Sequence, residues 1–82
     1  MRRYLSDAEK LSNFINYRMK DIGKFQCIQK LEKYWGKSQT SVYRKISKEH
    51  VESMNIKELI TLANVLEITP AELLEGGKEW TV

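Results

Sequence analysis

The segment GKSQTSVYRKIS, residues 36–47, places a glycine and a helix-capping serine in front of a short, almost entirely polar helix. Its two clearly apolar residues, Val42 and Ile46, are four positions apart and therefore lie on one side of that helix. The cations of this region are Lys37, Arg44, Lys45 and, just after it, Lys48. A helix with so narrow an apolar edge is expected to lie on the surface and to present its basic side to a partner.

Two helices are predicted upstream of this segment. The first spans SDAEKLSNFINYRMKDIG, residues 6–23, in which Ser6 and Glu9 form a capping box and Gly23 ends the helix. The second spans KFQCIQKLEKYWG, residues 24–36, and ends at Gly36. Apolar residues recur at spacings of three and four in both, which predicts one buried face on each helix. These residues are Leu11, Phe14, Ile15, Met19 and Ile22 in the first helix, and Phe25, Ile28, Leu31 and Trp35 in the second.

After a predicted loop, KEHVESM (residues 48–54), two more helices follow. NIKELITLANVLEI, residues 55–68, starts with the cap Asn55 and has Glu58 three positions later. TPAELLEGG, residues 69–77, starts with Thr69 and has Pro70 in the first helical position. It is expected to end at the paired glycines, residues 76 and 77. The residues expected in the core of this half are Ile56, Leu59, Leu62, Ala63, Leu66, Leu73 and Leu74.

Five helices with short connections, and no strand-like alternation, predict an all-α fold: a compact five-helix bundle with a helix-turn-helix. At 82 residues the chain is expected to form a single domain, residues 1–82, with a core region 6–76 and a short tail 77–82. The single cysteine cannot form an internal disulfide, no apolar run is long enough to cross a bilayer, and the start does not resemble a signal peptide. We therefore expect a cytoplasmic protein without a membrane partner.

Charge is unevenly distributed along the chain. Residues 1–48 contain twelve Lys or Arg and four Asp or Glu, a balance of +8, whereas residues 49–82 contain two and seven, a balance of −5. Such asymmetry is typical of a protein that meets a polyanion with one surface. The simpler alternative is that the charges on both halves are only solvated. Before any motif is considered, charge alone does not favour one interpretation over the other.

Catalytic and metal chemistry find little support in the sequence. His50 is the one histidine and Cys27 the one cysteine, so a zinc site lacks its usual four ligands. No nucleophile–base pairing, carboxylate pair or phosphate-binding glycine loop is evident. Cys27 lies beside the apolar stripe of the second helix and is expected to be buried and unreactive. We therefore expect neither an enzyme nor a cofactor.

Residues 24–48 match the pattern of a helix-turn-helix: a helix, a turn that begins near a glycine, and a second helix. A helical wheel places Thr40, Arg44 and Ser47 opposite the apolar edge, with Tyr43 and Lys48 at its shoulders. Residues near the start of such a helix touch base edges, where Gln pairs with adenine and Arg with guanine. The candidates for base contact are Gln39, Thr40, Tyr43, Arg44 and Ser47, and the candidates for phosphate contact are Lys37, Ser41, Lys45 and Lys48.

At these residues the chain resembles the Cro/repressor-type, or xenobiotic-response-element-type, helix-turn-helix regulators, in particular those of phages and mobile elements. LEKYWGKSQTSVYRKIS, residues 31–47, is similar to the family's Leu-x-x-x-x-Gly-x-Ser-x-x-x-Val-x-x-x-Ile section, and NIKELITLANVLEITPAELLE, residues 55–75, to its fourth and fifth helices. The resemblance covers residues 9–76 and implies a lambda-repressor-like DNA-binding domain. The chain departs from the pattern at Glu32, where the family usually has a small residue, and at Glu67, where it often has glycine.

The first functional hypothesis is a sequence-specific double-stranded DNA-binding regulator that acts as a homodimer. It is most simply a repressor that blocks polymerase, since the chain leaves no room for an effector domain. The alternative is a protein-interaction module on the same scaffold, such as an antitoxin, a repressor modulator or an inhibitor. The departure at Glu32 adds slightly to the weight of this alternative. The dimer surface is expected at the last helix and the tail, where Trp80 and Val82 would otherwise be exposed. Arg2 and Arg3 are expected to form a mobile start rather than a DNA-contacting arm.

Overall fold

The computed structural model describes residues 6–80 of the chain. The expectations for Arg2, Arg3 and Val82 lie outside these residues. Within them the fold is all-α, as predicted, with five α-helices and a short 3-10 helix between the third and the fourth. The α-helices are α1 (Asp7–Ile22), α2 (Lys24–Trp35), α3 (Gln39–Lys45), α4 (Ile56–Val65) and α5 (Pro70–Lys78), and the 3-10 helix spans Val51–Ser53. No helix in residues 6–80 combines the length and the apolarity that a membrane span needs.

Local capping sets where the helices begin. α1, α4 and α5 each start with a capping box, in which Ser6, Asn55 or Thr69 accepts the backbone N–H of the glutamate three residues on. That glutamate in turn accepts the backbone N–H of the cap residue. α3 is capped by Ser38, whose Oγ accepts the backbone N–H of Ser41 at 3.3 Å. All four predicted caps are confirmed, and each satisfies donors that a first helical turn leaves without a partner.

A glycine in the left-handed conformation ends α2. Gly36 has a φ of 63°, and its N–H and that of Lys37 both donate to the carbonyl of Glu32. Glycine adopts this conformation without steric cost, so the chain turns sharply into α3. Glu67, between α4 and α5, has a φ of 61°. It therefore carries the backbone strain expected from the absence of glycine at this position.

All five α-helices contribute to one hydrophobic core. Its fully buried large side chains are Ile15 and Met19 from α1, Ile28 and Leu31 from α2, Val42 from α3, Leu62 from α4, Leu73 from α5, and Ile46 and Leu66 from the turns after α3 and α4. The core positions predicted at Val42, Ile46, Leu62, Ala63, Leu66 and Leu73 are confirmed. Burial of each large side chain contributes about 1.5–3 kcal/mol, so the core residues that anchor α3 matter for the whole fold.

Three residues predicted to be buried are exposed: Phe25 (66%), Ile56 (76%) and Leu74 (50%). Phe25 is the second residue of α2 and Ile56 the first of α4. Spacing alone does not show how far along a helix its packing partner extends. Leu74 is adjacent to Leu73, and at about 100° per residue only one of the two faces the core. Val65, which the sequence pattern missed, is buried.

α5 does not end at Gly76 and Gly77, as predicted, but continues to Lys78. Both glycines lie against α1, the helix on which α5 packs most closely. A Cβ atom on Gly76 would clash with the ring of Phe14, and one on Gly77 would be 2.7 Å from Cδ1 of Leu11. The pair therefore permits a close approach of two helices instead of terminating one.

The tail folds back onto α1. The ring of Trp80 lies 6.4 Å from that of Phe14 and 5.3 Å from that of Tyr17, measured between centroids. Trp80 is half-buried by these contacts. The aromatic surface that was expected to meet a second copy at this residue is therefore partly covered by the chain itself.

The segment after α3, predicted as a loop, contains the 3-10 helix Val51–Ser53. Val51 is 2% exposed and belongs to the core. Its backbone N–H donates to the carbonyl of Ser47 at 2.8 Å. The connection from α3 to α4 is therefore anchored in the core and not merely a surface loop.

Candidate nucleic-acid interface

α2, the turn after it and α3 form the predicted helix-turn-helix. α3 is anchored by Val42 and Ile46, both buried. From α1, the hydroxyl of Ser12 donates to the carbonyl of Ile46 at 2.8 Å in buried surroundings. α2 packs against α3 with Glu32 half-buried, so the larger side chain at this position does not keep the two helices apart. The apolar edge of α3 is thus fixed from behind by two other helices.

The outer surface of α3 is exposed to solvent, as its composition predicts. The exposed residues are Gln39, Thr40, Ser41, Tyr43 and Arg44. Within residues 6–80, the guanidinium of Arg44 has no ion-pair or hydrogen-bond partner. Four of the five base-contact candidates therefore lie on one accessible helix surface, and its strongest hydrogen-bond donor is available to a ligand.

α3 ends earlier than the helical wheel assumed. Its last residue is Lys45, and Ile46 is the C-cap. Ser47, the fifth base-contact candidate, is half-buried, and its hydroxyl donates to the carbonyl of Arg44 at 2.6 Å. This bond satisfies an acceptor at the helix end. Lys48 is exposed but lies in the turn after α3, so the wheel positions of Ser47 and Lys48 do not apply.

An open cleft of about 250 Å³ lies between α3 and the segment that leads to α4. Its lining residues are Lys37, Ser41, Arg44, Lys45, His50 and Ser53. Three of them are cationic, and the hydroxyl of Ser41 is a further donor, which together suit phosphate oxygens. The hydroxyl of Ser53 donates to the carbonyl of His50 at 2.6 Å. The cleft brings together three of the four phosphate-contact candidates. It adds His50 and Ser53, which the sequence analysis missed because their segment was predicted to be a loop.

Lys45 forms an ion pair with Glu58 of α4, with 3.1 Å between Nζ and Oε2 and both side chains mostly buried. The other carboxylate oxygen of Glu58 accepts the backbone N–H of Asn55 at 3.0 Å. Burial alone would raise the pKa of Glu58, but the Asn55 N–H and the Lys45 ammonium outweigh it, with help from Lys37, and the pKa is lowered. Lys45 is therefore partly neutralised at the wall of the cleft and links α3 to α4.

Lys24 of α2 extends the cationic surface beside α3 through a contact with Tyr43. The ammonium of Lys24 lies 5.4 Å from the centroid of the Tyr43 ring, which is a cation–π geometry. Both residues are exposed. Sequence reasoning missed Lys24 because the two residues belong to different helices and meet only through the fold.

Cys27 is buried, as predicted. Burial raises the pKa of its thiol, although nearby Lys30 acts in the opposite direction. A raised pKa keeps the thiol protonated, so Cys27 contributes to the core as a small apolar side chain. In the part of the chain that the structure describes, no three His, Cys, Asp or Glu residues are grouped as a metal site requires.

Comparison with known proteins assigns the chain to a family. A family model for Cro/C1-type helix-turn-helix DNA-binding domains matches residues 15–76. Searches of curated proteins and of solved structures found no significant match. The matched residues include α2, α3, α4 and most of α5, and they make up more than half of the 82 residues. The chain therefore belongs to the Cro/C1-type helix-turn-helix DNA-binding domain family.

Proposed function

We propose that the chain is a transcriptional regulator that binds double-stranded DNA in a sequence-specific manner and acts as a repressor. One observation carries the proposal: the exposed face of α3, anchored by its buried edge, adjoins a cationic cleft. An α-helix fits the major groove of B-DNA, and phosphate contacts at its sides set its register. Repression follows most simply from occupying a site that polymerase needs.

Base recognition is assigned to the exposed residues of α3. Gln39 and Thr40 lie in the first turn, where recognition helices approach base edges. Arg44 is a candidate for a bidentate contact with guanine, and Tyr43 for an apolar contact beside it. Ser47 donates its hydroxyl proton to the end of α3, so towards a base it acts only as an acceptor.

Phosphate contact is assigned to the cleft and its borders. Lys37 and Ser41 line the cleft, and Lys48 is exposed in the turn after α3. His50 and Ser53 border the opposite wall, where the hydroxyl of Ser53 already donates to the carbonyl of His50 at 2.6 Å. Lys45 contributes mainly by holding α3 in place, because Glu58 already engages its ammonium group. Such contacts supply affinity and orientation but carry no sequence information.

The proposal includes a homodimer on a two-fold-related site, as in phage and mobile-element regulators. Dimeric helix-turn-helix proteins bind half-sites about 34 Å apart, one turn of DNA. Two copies of a short helix then read two half-sites, which multiplies the number of bases contacted. The family of this chain supports DNA binding, and the dimer is the further step of the proposal.

A salt titration tests the proposal. Binding of the purified chain to its preferred duplex should weaken steeply as salt rises, because counterions are released from the phosphates. Lys48→Ala should reduce the slope of log affinity against log salt by about 1 without changing base preference. Lys33→Ala, which removes an exposed charge from α2 outside the cleft and outside the last helix, is the matched control and should leave the slope unchanged.

Affinity that does not respond to salt would contradict the proposal. It would instead favour a protein-interaction module on the same scaffold, since fold alone does not determine function.

A further inference from the structure

His50, the one histidine of the chain, lines the cleft beside α3 and is exposed there. It directly precedes the 3-10 helix. Its backbone N–H donates to the carbonyl of Ser47 at 3.0 Å, and its carbonyl accepts the hydroxyl of Ser53 at 2.6 Å. The backbone of His50 is therefore fixed from both sides, which keeps the imidazole ring at the border of the cleft.

Ser47 determines which ring nitrogen of His50 carries the proton. Its Oγ lies 3.4 Å from Nδ1 of His50. A hydroxyl has one proton, and Ser47 donates it to the carbonyl of Arg44 at 2.6 Å. Towards the ring Ser47 acts only as an acceptor, so a neutral ring that keeps this contact is protonated on Nδ1. Nε2 is then a hydrogen-bond acceptor, and it has no partner among residues 6–80.

The charges around the ring come from several elements. Lys37, Arg44 and Lys45 line the cleft together with His50. α4 contributes Glu58, which Lys45 engages at 3.1 Å. The charged neighbours of His50 on its own segment are Lys48, Glu49 and Glu52, and those in the first half of α1, which packs against the 3-10 helix, are Asp7, Glu9 and Lys10. None of these six lines the cleft. The described charges that line the cleft are therefore positive, and a proton on His50 is stabilised most when a phosphate brings negative charge into it.

We propose that His50 couples DNA binding to the uptake of one proton from solvent. The neutral ring presents the lone pair of Nε2 to a phosphate oxygen, whereas the protonated ring donates from Nε2 to the phosphate and from Nδ1 to Ser47. An ordinary imidazole titrates at about pH 6.5, so DNA affinity rises as pH falls from about 8 to about 5.5. The inference rests on the proposed function, since it adds regulation by pH to the phosphate contacts of that site.

The affinity of the chain for a random-sequence duplex tests the coupling, because such binding depends on phosphate contacts. At constant ionic strength, affinity should rise by about tenfold from the high to the low end of this pH range, the effect of one unit in the proton affinity of one group. The range stays above 4.5, the ordinary value for the pKa of Glu58, so the ion pair with Lys45 persists throughout.

His50→Gln keeps an amide donor but cannot titrate, so its affinity should not vary with pH over this range. The matched control adds Lys33→His to this variant, which places a titratable ring at an exposed position outside the cleft. The double variant should remain independent of pH. A pH dependence that survives in His50→Gln would overturn the inference.

Ser47→Ala tests the role of the fixed proton position. Without the acceptor at residue 47, the neutral ring can carry its proton on Nε2 and donate to phosphate at high pH as well. The ratio between the affinities at low and at high pH should therefore shrink. Ser53→Ala also removes one hydroxyl near His50, but one that contacts only the backbone carbonyl of that residue, and it should keep the parental ratio. A parental ratio in Ser47→Ala would contradict the proposed mechanism.

NMR observes the ring directly, since the chain has one histidine. Without DNA and at high pH, the nitrogen chemical shifts should place the proton on Nδ1. Addition of the random-sequence duplex at neutral pH should shift the ring towards its protonated form. DNA binding that leaves the protonation of the ring unchanged would overturn the inference and leave the proposed function intact. Proton uptake with equal affinity for every duplex sequence would support the inference and contradict the sequence specificity of the proposed function.

Discussion

At the scale of single residues, Arg44 is the side chain of α3 to which we assign a base contact. It is exposed, lies two residues beyond the buried anchor Val42, and has no partner within residues 6–80. We predict that Arg44→Ala weakens binding to the preferred duplex by about 1–3 kcal/mol and relaxes base preference at one position, because a bidentate contact is lost. Binding isotherms over duplexes that differ by one base pair measure both effects.

The control for Arg44→Ala is Lys48→Ala, which also removes one positive charge. It should weaken binding to all duplexes of the panel by a similar factor, because a phosphate contact carries no sequence information. An Arg44→Ala variant that weakens all duplexes equally would show that Arg44 contacts phosphate and not a base.

Among residues 6–80, Glu67 is the one non-glycine residue with a positive φ. Its substitution therefore tests local backbone strain. The left-handed conformation costs a non-glycine residue about 1–2 kcal/mol, and glycine avoids this cost. Glycine loses more backbone freedom on folding, however, so only part of that free energy is gained by the substitution. We predict that Glu67→Gly raises the free energy of unfolding by about 0.5–1 kcal/mol, measured by urea denaturation. Glu67→Ala removes the same carboxylate but keeps the strain. Equal gains in both variants would show that charge, not backbone conformation, is responsible.

At the scale of elements, α3 depends on its neighbours. It has seven residues, and an isolated helix of that length is not stable in water. Its apolar edge lies in the core, Ser12 holds the carbonyl of Ile46, and Lys45 reaches Glu58 in α4. The orientation of the proposed recognition helix is therefore a property of the packed bundle.

The ion pair at Glu58 predicts a pH dependence of stability. The pKa of Glu58 is lowered from its ordinary value of 4.5. Its contribution to stability is therefore fully present above that ordinary value and is lost as pH falls through the lowered one. We predict that Glu58→Gln, which keeps an acceptor for Asn55 but loses the charge, is less stable by about 0.5–1 kcal/mol at neutral pH. The difference should vanish in acid, as measured by denaturation at a series of pH values.

Glu72→Gln is the control for this measurement. Glu72 occupies the same position in the capping box of α5, where its carboxylate accepts the N–H of Thr69. It lacks the ion pair that Glu58 has with Lys45. If Glu72→Gln lowers the free energy of unfolding as much as Glu58→Gln does, the effect comes from the charge of the capping carboxylate and not from its ion pair with Lys45.

The starts of the helices were predictable because their signals are local. Ser6, Ser38, Asn55 and Thr69 each act on a backbone group within three residues, so the sequence alone contains the whole interaction. The helix ends were harder. Gly36 was correctly predicted as a terminator, but the glycines of α5 serve contact with α1, which depends on residues more than sixty positions away.

In the candidate site, too, the local features were predictable and the contacts between elements were not. Gln39, Thr40, Tyr43 and Arg44 were placed on an exposed surface by periodicity, and the structure places them there. The pairing of Lys45 with Glu58, the ring contact of Lys24 and the second wall of the cleft were missed. Each joins different elements and forms only when the bundle packs.

At the scale of the whole molecule, the charge asymmetry of the sequence separates basic helices from acidic helices. α1, α2 and α3, with the turn after them, supply most of the cations, whereas α4, α5 and the segments beside them supply most of the acids. A polyanion is attracted to the first group and repelled by the second, which orients the chain as it approaches DNA.

Selection of bound sites from a random duplex library, at low and at high ionic strength, tests the central claim most directly. If α3 reads the major groove from a paired chain, the enriched duplexes will share two related half-sites about one DNA turn apart, with less recovery at high salt. A library that yields no shared sequence at either ionic strength, or equal recovery at both, would contradict the account.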